Sequence, residues 1–163
     1  MGAPVTMVGT GGVPLLGMNV LRQTVDFTLA AWNTVATHEV FILTGVVRVV
    51  WIYLIKESLL SAGLLAQIKF GHEGNTAYFA AAQLASALTV GKCVGQSADQ
   101  WWVAQTTGAY IFGAKTGDVM LSAYDLGYEI TVEALTDGTM EFTAFWTPLS
   151  SDGNLTLGAG APL

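Results

Sequence analysis

Val40 to Ile55 reads VFILTGVVRVVWIYLI, apolar at every position but Thr44, Gly45 and Arg48. Most of its side chains are β-branched or aromatic, and these suit a pleated strand better than a helix. With Glu39 the run is 17 residues long. At ~3.3 Å per residue it would span about 56 Å, too far for one straight strand. Gly45 is the natural break: lacking a side chain, it admits a bend that lets the chain pass from one sheet to another. A strand apolar on both faces and bent near its middle therefore predicts two packed sheets. A membrane helix fails on length, since 16 residues fall short of about 20 and Arg48 sits near the centre. A transmembrane barrel fails because neither face of the run is polar enough to line a channel. No membrane partner is expected.

Outward from this run, period-two alternation continues. Val25, Phe27 and Leu29 alternate with Thr24, Asp26 and Thr28. Further strands are predicted over 64–70, 109–114, 118–123, 128–135 and 139–147. Thr116-Gly117, Asp125-Leu126-Gly127 and Asp137-Gly138 supply turn chemistry between them. Asp137-Gly138, flanked by alternating runs, is the strongest hairpin signal. Asn75 followed by the Ala-rich stretch 76–88 and Gly91 predicts one short helix. Together these give an all-β fold, a jelly-roll-like β-sandwich with one short helix and an extended N-terminal arm. The boundaries read as an arm at 1–23, a sandwich at 24–150 and a tail at 151–163.

Composition narrows the function. Only 11% of residues are charged, 52% are hydrophobic, and the net charge is -6. Disorder needs the opposite balance. Nucleic-acid binding needs clustered Lys and Arg, which are missing, so no nucleic-acid partner is expected. Nor does a catalytic or cofactor motif emerge. Gly9-Thr10-Gly11-Gly12 lacks the Lys-Ser/Thr of a phosphate loop, and no Gly-x-Ser-x-Gly elbow occurs. His38 and Glu39 are adjacent and would point to opposite faces of a strand. His72 and Glu73 fall in a Gly-bounded turn and read better as solvated than as acid/base groups. Two histidines and one cysteine make too few ligands for a metal centre. The expectation is a non-enzymatic protein without cofactor or metal.

Three features point to contacts with other chains. The arm is broken by Gly and Pro yet carries Val5, Met7, Val8, Val13, Leu15, Leu16, Met18 and Val20. Burying these at ~1.5 kcal/mol each yields on the order of 10 kcal/mol, comparable with the entropy lost in ordering them, so the arm gains most by docking between subunits. Arg48 in an apolar strand needs an anionic partner, either within the subunit or across an interface. Trp101 and Trp102 are strand neighbours facing opposite ways, so one can enter the core while the other contacts a subunit or a sugar.

The runs Thr37-His38-Glu39-Val40-Phe41-Ile42-Leu43-Thr44-Gly45-Val46-Val47-Arg48-Val49 and Leu59-Leu60-Ser61-Ala62-Gly63 resemble segments of small virion proteins of tailed bacteriophages. So do Asn75-Thr76-Ala77 and the ending from Phe142 to Gly153, with its Pro148-Leu149-Ser150 turn. The resemblance spans roughly residues 37 to 153. It implies a capsid decoration protein, a homo-oligomer, expected as a trimer, bridging major capsid protein subunits on the capsid exterior. The alternative it leaves open is a head-fibre or tail protein that binds host-surface glycans.

Overall fold

The computed structural model of the chain describes residues 19–88, 90–91, 93–95, 119–122 and 124–160. In chain order the strands are β1 (Asn19–Asp26), β2 (Thr37–Thr44), β3 (Val46–Ile55), β4 (Gln67–His72) and β5 (Asn75–Leu84). They continue with β6 (Cys93–Gly95), β7 (Val119–Ser122), β8 (Leu126–Thr131), β9 (Thr139–Pro148) and β10 (Asn154–Leu157). One sheet runs β1-β9-β3, with β7 and β6 along different stretches of the far side of β3; the other runs β10-β2-β8-β4-β5.

This weave is a jelly roll. The chain pairs with itself as one long antiparallel ribbon: β4 with β5 at the closed end, then β3 with β7, β2 with β8, and β1 with β9. Successive rungs alternate between the sheets, and the pairings of β9 with β3 and β8 with β4 join them side by side. Gly45 is the corner between β2 and β3, as its position in the apolar run predicts. Its φ is +61°, and a Cβ there would lie 2.6 Å from the Asp152 carboxylate, so only glycine fits the corner.

The core lies between the inner faces. Val25, Val47, Val49, Met140 and Phe142 from the first sheet are buried with Phe41, Ile68, Phe70, Leu126 and Tyr128 from the second. The rings interlock across the gap: Phe142 stacks on Tyr128 at 5.7 Å and meets Phe70 at 6.1 Å. The Tyr128 hydroxyl donates to the Trp32 carbonyl at 2.6 Å, and burial pushes its pKa well up, so the donor proton stays in place. A bulge in β2, where Glu39 and Phe41 face Gly127 and Leu126, shifts the burial phase and lets both Val40 and Phe41 point inward.

Several expectations are corrected. The stretch 76–88 is not a helix: β5 occupies Asn75–Leu84, followed by one 3-10 turn at Ala85–Ala87. Asn75 does accept the Ala77 N–H, but this bond closes a turn at the mouth of the β4–β5 hairpin. Among the described residues the single α-helical turn, α1, lies at Ala30–Asn33 and buries Trp32. Asp137-Gly138 does not form a hairpin, because β8 and β9 belong to different sheets. Gly138 instead takes φ +111° where the chain crosses between them, with Ser58 O 2.6 Å from a would-be Cβ. Leu126 and Gly127 are strand residues, while Leu64 and Leu65 precede β4 rather than starting it. β1 begins at Asn19, inside the stretch read as arm, and β10 lies within the stretch read as tail. The strand predicted over 109–114 and the arm residues Val5, Met7, Val8, Val13, Leu15, Leu16 and Met18 lie outside the described residues.

Candidate functional site: an apolar loop end

The two ends of the jelly roll differ in chemistry. One end gathers the connections leading from β1 to β2, β3 to β4, β5 to β6 and β8 to β9. The other holds the Gly45 corner, the β4–β5 hairpin and the β7–β8 and β9–β10 connections.

At the first end, Glu133 organises the loop between β3 and β4. Its carboxylate accepts the Ser61 hydroxyl at 2.7 Å, the Gly63 N–H at 2.6 Å and the Leu65 N–H at 3.1 Å. These bonds hold its pKa below the ordinary carboxylate value, the Ser61 bond foremost. Ser61 Oγ in turn accepts the Ala66 N–H, tying the loop to the start of β4. Two non-glycine residues on either side of this clamp occupy the left-handed region: Leu64 at φ +59° and Val132 at φ +72°. Each costs roughly 1–3 kcal/mol and persists because its surroundings over-determine it. The side chains so placed face water: Leu60, Leu64, Leu65 and Val132 are 42–64% exposed. Leu29 and Val35 on a neighbouring connection and Leu84 at the end of β5 are exposed as well. A carboxylate clamp thus ties together a loop end that displays aliphatic side chains.

The histidines take separate places. His38 faces inward and is buried. Its Nε2 lies 2.8 Å from the Thr34 carbonyl and its Nδ1 3.0 Å from that of Ala31, while its ring stacks on Tyr128. It is a structural post joining β2 to α1. Glu39 points the other way, as adjacent strand residues must. Burial, then the charge of Asp125, raises its pKa. His72 corrects the solvated-turn expectation: it is a strand residue only 8% exposed, packed against Tyr78, Phe79 and Tyr124 at the opposite end from Glu133. Glu73 is exposed, with its N–H donated to the Asp125 carbonyl. Arg48 is half-buried on the outer face of its sheet, opposite Thr147 and Met120, while Val47 and Val49 point inward. Trp101 and Trp102 lie outside the described residues.

Among the described residues no three His, Cys, Asp or Glu side chains gather closely enough to hold a metal ion, and no helix is long and apolar enough to cross a membrane. Sequence reasoning missed Glu133, Leu64, Leu65 and Val132. Glu133 stands in an alternating stretch that reads as strand, and a positive φ at Val or Leu has no signature in the chain. No family model, characterised protein or solved structure matches this chain.

Proposed function

We propose that the chain is a non-enzymatic structural protein of the tailed-bacteriophage virion. It decorates and stabilises the capsid by seating its Glu133-clamped loop end on major capsid protein subunits. The observation that carries this reading is the exposure of Leu60, Leu64, Leu65 and Val132, with Leu64 and Val132 held at backbone cost. Strain retained around exposed apolar side chains favours a preorganised contact surface over a reaction site. The jelly roll is an architecture shared by capsid proteins, lectins and cupins, so it agrees with the reading by analogy only. The partner is named by the resemblance of residues 37 to 153 to phage virion proteins.

Magnitudes support an oligomer. Burying the remaining exposed area of four aliphatic side chains yields about 4 kcal/mol, at or below the cost of immobilising one free copy. Linked copies share that cost, and a trimer engaging three ends holds where one would leave. The arm suits the linking role. It departs at Asn19, at the end opposite the clamp, and 18 extended residues reach about 60 Å. The net charge of -6 suits a protein surface on the capsid exterior better than packaged DNA.

The test uses heads assembled from the coat protein of the genome that encodes the chain. The intact protein is expected to co-sediment with them at a ratio comparable to the coat subunits. The variant Leu64→Asp/Leu65→Asp is expected to stay folded and remain in the supernatant. Failure of the intact protein to co-sediment, or undiminished binding by the variant, would overturn the proposal.

A further inference from the structure

We propose that His72, Tyr78 and Tyr124 form a shallow binding site for a neutral pyranose ring, at the end of the jelly roll remote from the Glu133 clamp. This inference is independent of capsid docking and rests on different residues.

The hairpin between β4 and β5 places His72 opposite Asn75, and the β7–β8 connection brings Tyr124 over it. The imidazole stacks on the Tyr124 ring at 5.0 Å and 28°, with Tyr78 at 4.9 Å on a tilted plane. Gly74 lies against the same pair: a Cβ there would sit 3.2 Å from the Tyr124 ring and 3.3 Å from His72. Gly71 is equally constrained, since a Cβ would fall 2.1 Å from Asn75 O; the hairpin folds directly over it. The cluster thus packs directly on a hairpin that leaves little or no room for a side chain at either glycine.

One atom in it lacks an acceptor among the described residues. His72 Nδ1 accepts the Gly74 N–H at 3.1 Å, so in the neutral ring the proton resides on Nε2. Burial, opposed by the neighbouring Glu73, pushes the His72 pKa below its usual value, so the neutral ring prevails at pH 7. Nε2–H has no partner among the described residues, and His72 as a whole is only 8% exposed. A buried donor without an acceptor costs on the order of 1–3 kcal/mol, and a ligand oxygen placed on Nε2–H would remove that cost. Nearly half of each tyrosine faces solvent, and neither phenol oxygen has a protein partner among the described residues.

The chemistry selects the ligand class. Exposed aromatic rings offer stacking to a flat apolar face. A cation would also stack on them, but it cannot accept a hydrogen bond from Nε2–H. An anion could accept that bond, but it would meet Glu73, whose N–H bonds Asp125, and Asp125 in turn bonds Glu39. A pyranose satisfies all three conditions: a C–H face for the tyrosines, a hydroxyl oxygen for Nε2–H, and no charge.

The experiment is saturation-transfer NMR on the full chain, with the methyl glycosides of glucose, galactose, mannose and N-acetylglucosamine as probes and tetramethylammonium as the competing cation. At least one glycoside is expected to receive saturation at its ring protons. Tyr124→Ala is expected to abolish it. His72→Phe, which keeps the ring packing and removes the donor, is expected to weaken binding about tenfold. Tyr78→Ala, at an exposed position, covers the case in which the His72 variant fails to fold. Silence from all four glycosides, binding of tetramethylammonium alone, or glycoside binding unchanged in Tyr124→Ala and Tyr78→Ala would overturn the proposal. None of these outcomes touches co-sedimentation with heads, so the two proposals fail separately.

Discussion

Val132 carries a β-branched side chain at φ +72°, where the Cβ crowds its own backbone, and it presents that side chain to solvent. Local energetics oppose both features, so the residue tests whether the loop end is built for contact. Replacing Val132 by glycine removes strain of roughly 1–3 kcal/mol and adds unfolded-state entropy worth about 1 kcal/mol. The variant Val132→Gly is therefore expected to be more stable by about 1 kcal/mol in urea titration while co-sedimenting less well with heads. A loss of stability would end the strain reading; gained stability with undiminished binding would remove Val132 from the contact surface. Glu133 shows the same logic in polar form. The Ser61, Gly63 and Leu65 donors converge on one carboxylate, and the acid type at that position decides the loop. Nothing in the chain separates it from the other eleven acids, because its partners lie about 70 residues upstream.

At the scale of elements, local and tertiary forces agree in some segments and conflict in others. β2, β3 and β9 were legible because alternation or sustained β-branched content leaves one low-energy choice, whereas only the end of β1 was read as strand. β5 was not. Ala, Gln and Leu favour helix, and an Asn75 side chain bonded to the N–H two residues on is also how a helix begins. The open edge of β4 outweighs this preference: its backbone pairs Gln67 with Leu84, Ile68 with Gln83 and Phe70 with Ala80. β10 was unreadable for another reason, since four residues with one apolar anchor carry almost no periodic signal. Leu155, only 3% exposed, pairs with Leu43 and closes the core beside β2. Leu155→Ala is expected to cost about 2–3 kcal/mol in denaturant unfolding. A change near zero would mean that the segment behaves as a solvated tail after all.

For the whole molecule, the charged groups set a pH dependence. Asp26, Glu129, Glu133 and Asp152 have pKa values lowered by hydrogen bonds, with the Lys69 ion pair at 2.9 Å assisting Glu129. Each contributes stability that is complete above its unfolded value, 3.8 for Asp or 4.5 for Glu, and is lost as pH falls through the lower folded value. Glu39 acts in the opposite sense: its raised pKa makes protonation favour the folded state. The melting temperature is therefore expected to decline from about pH 6.5, where His72 protonates more readily in the unfolded chain, and to fall further below about pH 4.5, more steeply in Glu39→Gln, which removes the opposing group. A melting temperature that rises on acidification would contradict the hydrogen-bonded carboxylates described here. The sequence by itself determined the all-β class and the corner at Gly45. A long run apolar on both faces has one way to leave water, between two sheets, and must break where a side chain is missing. Only the tertiary structure decided which strands became neighbours, that 75–84 is a strand, and that His72, Tyr78 and Tyr124 meet. Ribbon pairing joins residues tens of positions apart, and the free energy of such contacts has no counterpart in the order of residues along the chain.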